Sequence, residues 1–566
     1  MIKAASERKG LCAGSDSLVL LWLTVWLVMN ILQAAFTGLS NDEAYYTLFA
    51  DNLAWGYFDH PPVTAILVWL GMHVSGGGLG VRLFFTLLQP IYLWILWTLV
   101  RPEDKESRTR QDANLFIVLT ASVLMLQLYG FIAVPDGPLM ISSAVYLWAF
   151  DRFTKGNRMA WIGLGLAMAF MAYSKYHGAL VVLFSLLVVP RVLKKPGFYL
   201  AGLLALILFI PHLKWQYDHN WASFAYHLSG RNGEYDFHDM MEFIINMLVV
   251  FNPLLVPTFF QAWRKTNPAD DIRRFMRWMP VLFIGFFLLS SIRGYVQPQW
   301  VIACTFGIVY VMFDYCRKHV RTRRYVMRAG IVTIVLVFMF RLEMAFNPLG
   351  IRYEIFNNEE SYAQLNRFAA GRPLIFSGRY SEAAKYRYYT GAEAYCEPKI
   401  TYRTHQWQFL DYDTQFAGRD VLIQTNRRNA SDSITLANGE RLYWKDCPDF
   451  RPVRLVDVRF TGIPSKLQCG QEINIDLTVT NPYSYAVSTA PDTRLVLIWK
   501  WSRFDIFEYD TGIELTLQPG ESVNRTYSFT LPQELAGREY STGFAFKSGV
   551  CAYWFNCIPV KTKVKR

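Results

Sequence analysis

The sequence predicts a polytopic α-helical membrane protein with a large water-facing tail, and three observations carry that expectation. Residues 1–345 hold one apolar run after another, whereas 346–566 have the composition of an ordinary soluble protein. Many of the runs reach the ~20 residues that cross ~30 Å of hydrocarbon. The loops between them alternate between basic and nearly cation-free.

The runs place helices near 17–36, 81–100, 114–131, 137–151, 159–174, 178–192, 197–213, 243–262, 277–292, 299–316 and 325–345, about 11 spans. Segment 63–74 is apolar but too short to cross, and is expected to lie in the interface or re-enter. The first run, 17–36, follows Lys3, Arg8 and Lys9 as a signal peptide would. It is long and lacks a small-residue cleavage site, so it reads as a retained helix.

Alternate loops carry Arg101, Lys105, Arg108 and Arg110; Arg152, Lys155 and Arg158; Arg191, Lys194 and Lys195; Arg264 to Arg277; and Arg317 to Arg324. The opposite loops hold little beyond Lys175, Lys214, Arg231 and Arg293. This bias puts the N-terminus in the cytoplasm and the tail outside the cytoplasmic (inner) membrane. The net charge of +12 is therefore a topology signal and implies no nucleic-acid partner.

Within the tail, 346–450 mixes helix-like and strand-like pieces and suits an α/β region. From 451 to 566, alternating strands such as "EINIDLTVTN" and "TRLVLIWKW" are punctuated by turns, the pattern of a β-sandwich. It is expected to be a structural or carbohydrate-contacting module. Cys396, Cys447, Cys469, Cys551 and Cys557 fall in this tail, where disulfides are permitted, without the CxxC spacing of a zinc site.

The unusual polar residues of the membrane region, 1–345, gather at the outer helix ends. The stretch "LSNDEAYYTLFADNLAWGYFDHPP" (39–62) holds Asp42, Glu43, Asp51 and Asp59 with no Lys or Arg. An acid pair is common on solvated loops. Here the absence of a neighbouring cation suits a general base or a divalent metal ion held by Asp42 and Glu43. Pro61 and Pro62 fix the backbone after Asp59 and His60. Asp136 in "AVPDGP" serves a turn or a site equally well. Lys175 in "YSKYHGA" either snorkels to the headgroups or, with Arg293 in "SIRGYVQPQW", holds a phosphate. His177, His212, His219, His227 and His238 are scattered and read as structural. Spans nearly free of central charge disfavour a charge-lined ion pathway.

The motifs "NDEAYY…LAWGYFDHPP", "PDGPL" and "SKYHGAL", in this order at outer helix ends, resemble bacterial polyprenyl-phosphate-sugar-dependent glycosyltransferases. These are GT-C fold enzymes related to protein O-mannosyltransferases (the dolichyl-phosphate-mannose-protein mannosyltransferase-like family) and to lipid A aminoarabinose transferases. The resemblance covers 17–345 and not the tail. It implies a sugar donor linked by one phosphate to a polyprenol, and an acceptor that is an envelope lipid such as lipid A, a glycan or a protein. Asp42 matches the catalytic aspartate by position, implying an inverting displacement with Lys175, Arg293 and His60 facing the leaving phosphate. The aminoarabinose branch tends to have Lys where His60 stands, which leaves that contact open. A flippase or binding protein for lipid-linked glycans, and a GT-C ligase or polymerase with a diphosphate donor, stay open as alternatives.

Overall fold

The computed structural model describes residues 2–230, 236–268, 270–489, 492–549 and 551–565, with side chains from residue 14 onward except 229 and 230. Segment 231–235 with Arg231, and the side chains of Lys3, Arg8, Lys9 and Cys12, lie outside the described residues. The chain divides into two compact units, Met1–Phe356 and Asn357–Arg566.

The first unit contains α1 (Ile2–Phe36), α2 (Asn41–Asp51), α3 (Val63–Val74), α4 (Gly77–Val100), α5 (Arg110–Ala121), α6 (Leu124–Leu128), α7 (Asp136–Thr154) and α8 (Ala160–Ser174). It continues with α9 (Gly178–Val188), α10 (Pro196–Asp218), α11 (Ala222–Ala225), α12 (Phe237–Val250), α13 (Val256–Lys265), α14 (Asp271–Ser290), α15 (Thr305–Lys318) and α16 (Val320–Phe346). Among the described residues, six segments are long and apolar enough to cross a membrane: 14–36, 77–100, 196–218, 271–293, 298–318 and 320–346. Helices α3, α8 and α9 are apolar but shorter.

Two of the expected spans are each broken. The run 243–262 stops at Asn252, whose φ of 74° leaves the helical region and whose successor is Pro253. The Asn252 side chain then donates to the Ser122 carbonyl (3.3 Å) and to Thr333 Oγ1 (3.0 Å). The run 114–131 breaks between α5 and α6, where Val123 is extended.

The basic loops meet at one end of these helices. Asp16 accepts from Arg101 (2.6 Å) and Arg108 (3.1 Å), Asp112 from Arg317 (3.0 Å), and Asp271 from Arg191. At the other end the short helix α3 folds back on α4 through glycine. A Cβ on Gly71 would lie 2.1 Å from the Gly80 carbonyl oxygen, so no larger residue fits without separating the pair.

In the second unit, α17 (Asn358–Ala369) and α18 (Tyr380–Thr390) accompany a mixed sheet. Its strands are β1 (Leu374–Ser377), β2 (Ala394–Glu397), β3 (Val421–Thr425), β4 (Asp432–Thr435) and β5 (Arg441–Cys447), in the order β2-β1-β3-β5-β4. β1 is parallel to β2 and β3, while β5 is antiparallel to β3 and β4.

A sandwich follows, with β6 (Asp457–Thr461), β7 (Lys466–Gln468), β8 (Glu472–Thr480), β9 (Val487–Ser488) and β10 (Thr493–Lys500). It is completed by β11 (Ile506–Asp510), β12 (Thr516–Leu517), β13 (Ser522–Thr530), β14 (Glu539–Ser548) and β15 (Val560–Lys565). The larger sheet runs β11-β10-β14-β15-β7 and the smaller β13-β8-β6. Along β8, Ile473, Ile475, Leu477 and Val479 alternate into a core shared with Leu497, Trp499 and Phe544.

Glu397, at the end of β2, is buried, and its carboxylate accepts from the Ala552 N–H (2.9 Å). Burial pushes its carboxyl up to about 7, which the Ala552 N–H and the Cys551 thiol only partly offset. A raised acid favours the folded state while protonated, so its contribution is full below the unfolded value and is lost as pH rises towards about 7.

Two outcomes are expected. Gly71→Val lowers the thermal midpoint of the detergent-solubilised protein, by about 1–3 kcal/mol of stability, because α3 and α4 cannot keep their approach. Raising the pH from about 4.5 to about 7 costs about 3 kcal/mol at Glu397. That loss is read as faster amide exchange in β2 and 551–556, and Glu397→Gln flattens the dependence.

Candidate active site

The acidic loop is built from a capping box. Ser40 caps α2: its hydroxyl accepts from the Glu43 N–H (3.3 Å), and Glu43 Oε2 accepts from the Ser40 N–H (3.0 Å). Asp42 and Glu43 are thus successive residues in the first turn, ~100° apart around the helix. Glu43 is fully buried and Asp42 is exposed.

Buried Glu43 meets Arg82 of α4. Nε donates to Oε1 and Nη2 to Oε2, each at 2.6 Å, the bidentate fork that guanidinium geometry favours. The remaining Arg82 donors go to the carbonyls of Ala34 (3.1 Å), Thr37 (2.5 Å) and Gly38 (2.9 Å), so all five N–H groups are used. Glu43 Oε1 also accepts from the Ala133 N–H (2.9 Å). Burial alone would raise this carboxyl, but the Arg82 charge and hydrogen bonds, with the Ala133 and Ser40 N–H groups, hold it below its usual value. The expectation of an uncompensated acidic loop is therefore corrected. A cation compensates it, brought from 39 residues along the chain.

The residues do not fit a divalent ion at Asp42 and Glu43. Both Glu43 oxygens are already bound by Arg82 and backbone N–H groups, and among the described residues no group of three or more His, Cys, Asp or Glu side chains gathers to complete a donor set.

The Ala133 contact fixes the loop that leads to Asp136, the first residue of α7. Asp136 Oδ1 accepts from Lys175 Nζ at 2.7 Å, and both side chains are buried. Lys175 thus caps the end of α8 on a carboxylate and does not snorkel. Tyr129, half-buried, is within electrostatic reach of both Asp136 and Asp42. Tyr295, two residues beyond exposed Arg293, also reaches Tyr129, and Tyr353 reaches Asp42. The Asn41 N–H and side-chain amide both donate to Glu354.

The "GYFDH" loop is held by its main chain. The carbonyls of Trp55, Tyr57 and Asp59 accept from His212 Nδ1 (2.7 Å), Ser223 Oγ (2.7 Å) and His227 Nε2 (2.9 Å). A carbonyl only accepts, so each of those ring nitrogens carries its proton. His212 Nε2 is then the acceptor for the Tyr176 hydroxyl (2.9 Å). Gly56 is obligatory, since a Cβ there would sit 2.6 Å from the Trp215 ring. Asp59 is buried, within electrostatic reach of Tyr176, and His60 lies edge-on to Tyr46 at 5.6 Å.

The structure therefore sets Asp42 and Asp136, the partner of Lys175, within electrostatic reach of Tyr129, Asp59 within reach of Tyr176, the neighbour of Lys175, and His60 against Tyr46 and His227. Arg293 is exposed on the loop that carries Tyr295. Sequence reasoning missed Arg82, Tyr129 and Glu354, and read His212 and His227 as scattered. The available signal was a lone Arg near the start of an apolar helix, which calls for a buried partner. Removing one member of the Glu43–Arg82 pair is expected to destabilise the protein by about 3–5 kcal/mol. The test is thermal unfolding of Arg82→Met, Glu43→Gln and the double variant, whose loss is expected to fall short of the sum of the two.

Residues 59–215 match the family model described as dolichyl-phosphate-mannose-protein mannosyltransferase. This segment includes Asp59, His60, Asp136 and Lys175 but begins after Asp42. No curated protein matches by sequence. Among solved structures, the chain is similar to ArnT from Cupriavidus metallidurans in the apo state, at 13% identity and a TM-score of 0.55, covering 75% of this chain and 97% of that one. The same protein bound to undecaprenyl phosphate gives 13% identity and a TM-score of 0.56, covering 76% and 98%. At this identity the likeness is one of fold, and the fold is GT-C. The chain is thus a multi-pass membrane protein with the GT-C fold, and over residues 59–215 it is similar to the mannosyltransferase family.

Proposed function

We propose that the protein moves a sugar from a polyprenyl-monophosphate donor to an envelope acceptor, an envelope lipid such as lipid A, a glycan or a protein, at the outer face of the cytoplasmic membrane. The observation that carries this reading is the division between two adjacent acids. Glu43 is buried and bound on both oxygens, while Asp42, one residue away on the same rigid turn, is exposed and within electrostatic reach of Tyr129. A structurally similar protein bound to undecaprenyl phosphate supports the donor class, and the gathering of basic loops at the opposite helix ends supports the orientation.

In the reaction, the acceptor oxygen attacks the anomeric carbon as its proton passes to a carboxylate oxygen of Asp42. The carbon–oxygen bond to phosphate breaks on the opposite face, which inverts the centre. The polyprenyl phosphate leaves as an anion and needs no general acid. It does need positive charge held ready in a water-poor site. Lys175 keeps one N–H on Asp136 and has two more to offer a phosphate oxygen. Arg293 and His60 are the further candidates for that oxygen set. Glu43 is assigned to positioning the helix that carries the base.

Purified protein incubated with radiolabelled polyprenyl-phosphate sugars and a crude envelope extract tests this. Asp42→Asn, which keeps shape and removes the base, is expected to cut transfer by about 10²–10⁴-fold while donor binding holds. Normal transfer by that variant sinks the base assignment. A wild type that binds donor and never consumes it is a binding or transport protein instead.

A further inference from the structure

The end of the membrane unit opposite the acidic loop carries a second feature that the transfer reaction does not use. At the start of α16, Arg323, Arg324 and Arg328 line a cleft of about 270 Å³ with Gln111 and Asn114 of α5 and with Met327. Some cations at this end have carboxylate partners, namely Arg101 and Arg108 on Asp16, Arg191 on Asp271, Arg317 on Asp112, and Lys318 on Asp314, whereas others, such as Arg158, Arg264 and Lys265, stand exposed among the described residues without one. Among the described residues, none of the three cleft arginines forms an ion pair.

Their placement is electrostatically unfavourable by itself. Arg324 and Arg328 are i,i+4 neighbours of like charge. Arg323 and Arg324 occupy the first turns of a helix, where the macrodipole repels cations, and His319 at the N-cap supplies no side-chain hydrogen bond to that terminus. An anion in the cleft relieves both conflicts at once. The cleft is also at a fixed depth. Three residues after Arg328, the outward face of α16 becomes apolar, with Ile331, Val332, Val335 and Leu336 all exposed. An anion there sits where a hydrocarbon surface begins, which is the position of a headgroup.

We infer that this cleft is a binding site for the phosphodiester headgroup of an anionic membrane phospholipid, with the three guanidiniums on the phosphate, Gln111 and Asn114 on its polar substituent, and the acyl chains along α16. The site is independent of the proposed transfer reaction and stands or falls separately from it.

Native mass spectrometry of the full-length protein in neutral detergent, with phosphatidylglycerol or phosphatidylcholine added, tests the inference. Wild type is expected to retain phosphatidylglycerol about fivefold or more over phosphatidylcholine. Arg323→Gln/Arg324→Gln/Arg328→Gln is expected to lose that preference. Arg158→Gln/Arg264→Gln/Lys265→Gln, which removes the same charge from exposed positions elsewhere, is expected to keep it. Asn114→Phe fills the cleft with every charge in place, and is expected to lose the preference even where the triple variant folds poorly. Equal retention by the wild type and Asn114→Phe overturns the site. Full displacement of the lipid by millimolar inorganic phosphate overturns the lipid assignment in favour of a free anion.

Discussion

The buried pair of Glu43 and Arg82 is the interaction on which the outer end of the membrane unit depends. Arg82 spends two donors on the carboxylate and three on the carbonyls of Ala34, Thr37 and Gly38, so one side chain of α4 fixes both the end of α1 and the start of α2. Glu43 passes the constraint on through the Ala133 N–H to the loop before α7. Phe131 in that loop lies under two guanidiniums, Arg82 at 5.8 Å and Arg341 at 5.2 Å. Arg341 is itself anchored on the amide oxygens of Asn30, Gln33 and Gln127. Such a network is stable away from water only when each member is satisfied, and its members come from α1, α2, α4, α16 and the 122–135 segment.

The membrane class was legible in the sequence because its physical cause is local. Length and apolarity decide whether a helix can cross, and the alternation of Lys and Arg between loops needs no tertiary information. The breaks at Ser122–Val123 and Asn252–Pro253 were harder, since an apolar run looks continuous to a hydropathy reading even where the backbone turns. The Asn-Pro pair was the visible warning. In the tail, strand periodicity announced the sandwich, while the order β11-β10-β14-β15-β7 arises from long-range pairing that periodicity does not encode.

For the site, the residue types were visible and their partners were not. Asp42 and Glu43 look alike in sequence. The Ser-x-x-Glu box at Ser40 could have separated them, because it ties Glu43 to the helix terminus and leaves Asp42 aside. Nothing local reveals that Glu43 is neutralised by Arg82 from another helix, or that Lys175 faces Asp136 across 39 positions. Buried charge has to find a partner, but the rule does not say which.

The "GYFDH" loop has one further consequence. Its shape is dictated by His212, Ser223 and His227, which grip the carbonyls of alternate residues 55, 57 and 59. Main-chain carbonyls are the same whatever side chain follows. Gly56, whose bareness the Trp215 ring demands, and buried Tyr57, whose hydroxyl accepts from the Ala54 N–H (3.1 Å) and donates to the Phe49 carbonyl (3.0 Å), are the loop's own contributions to its course. The segment 212–227 is the mould on which the main chain of the loop is cast.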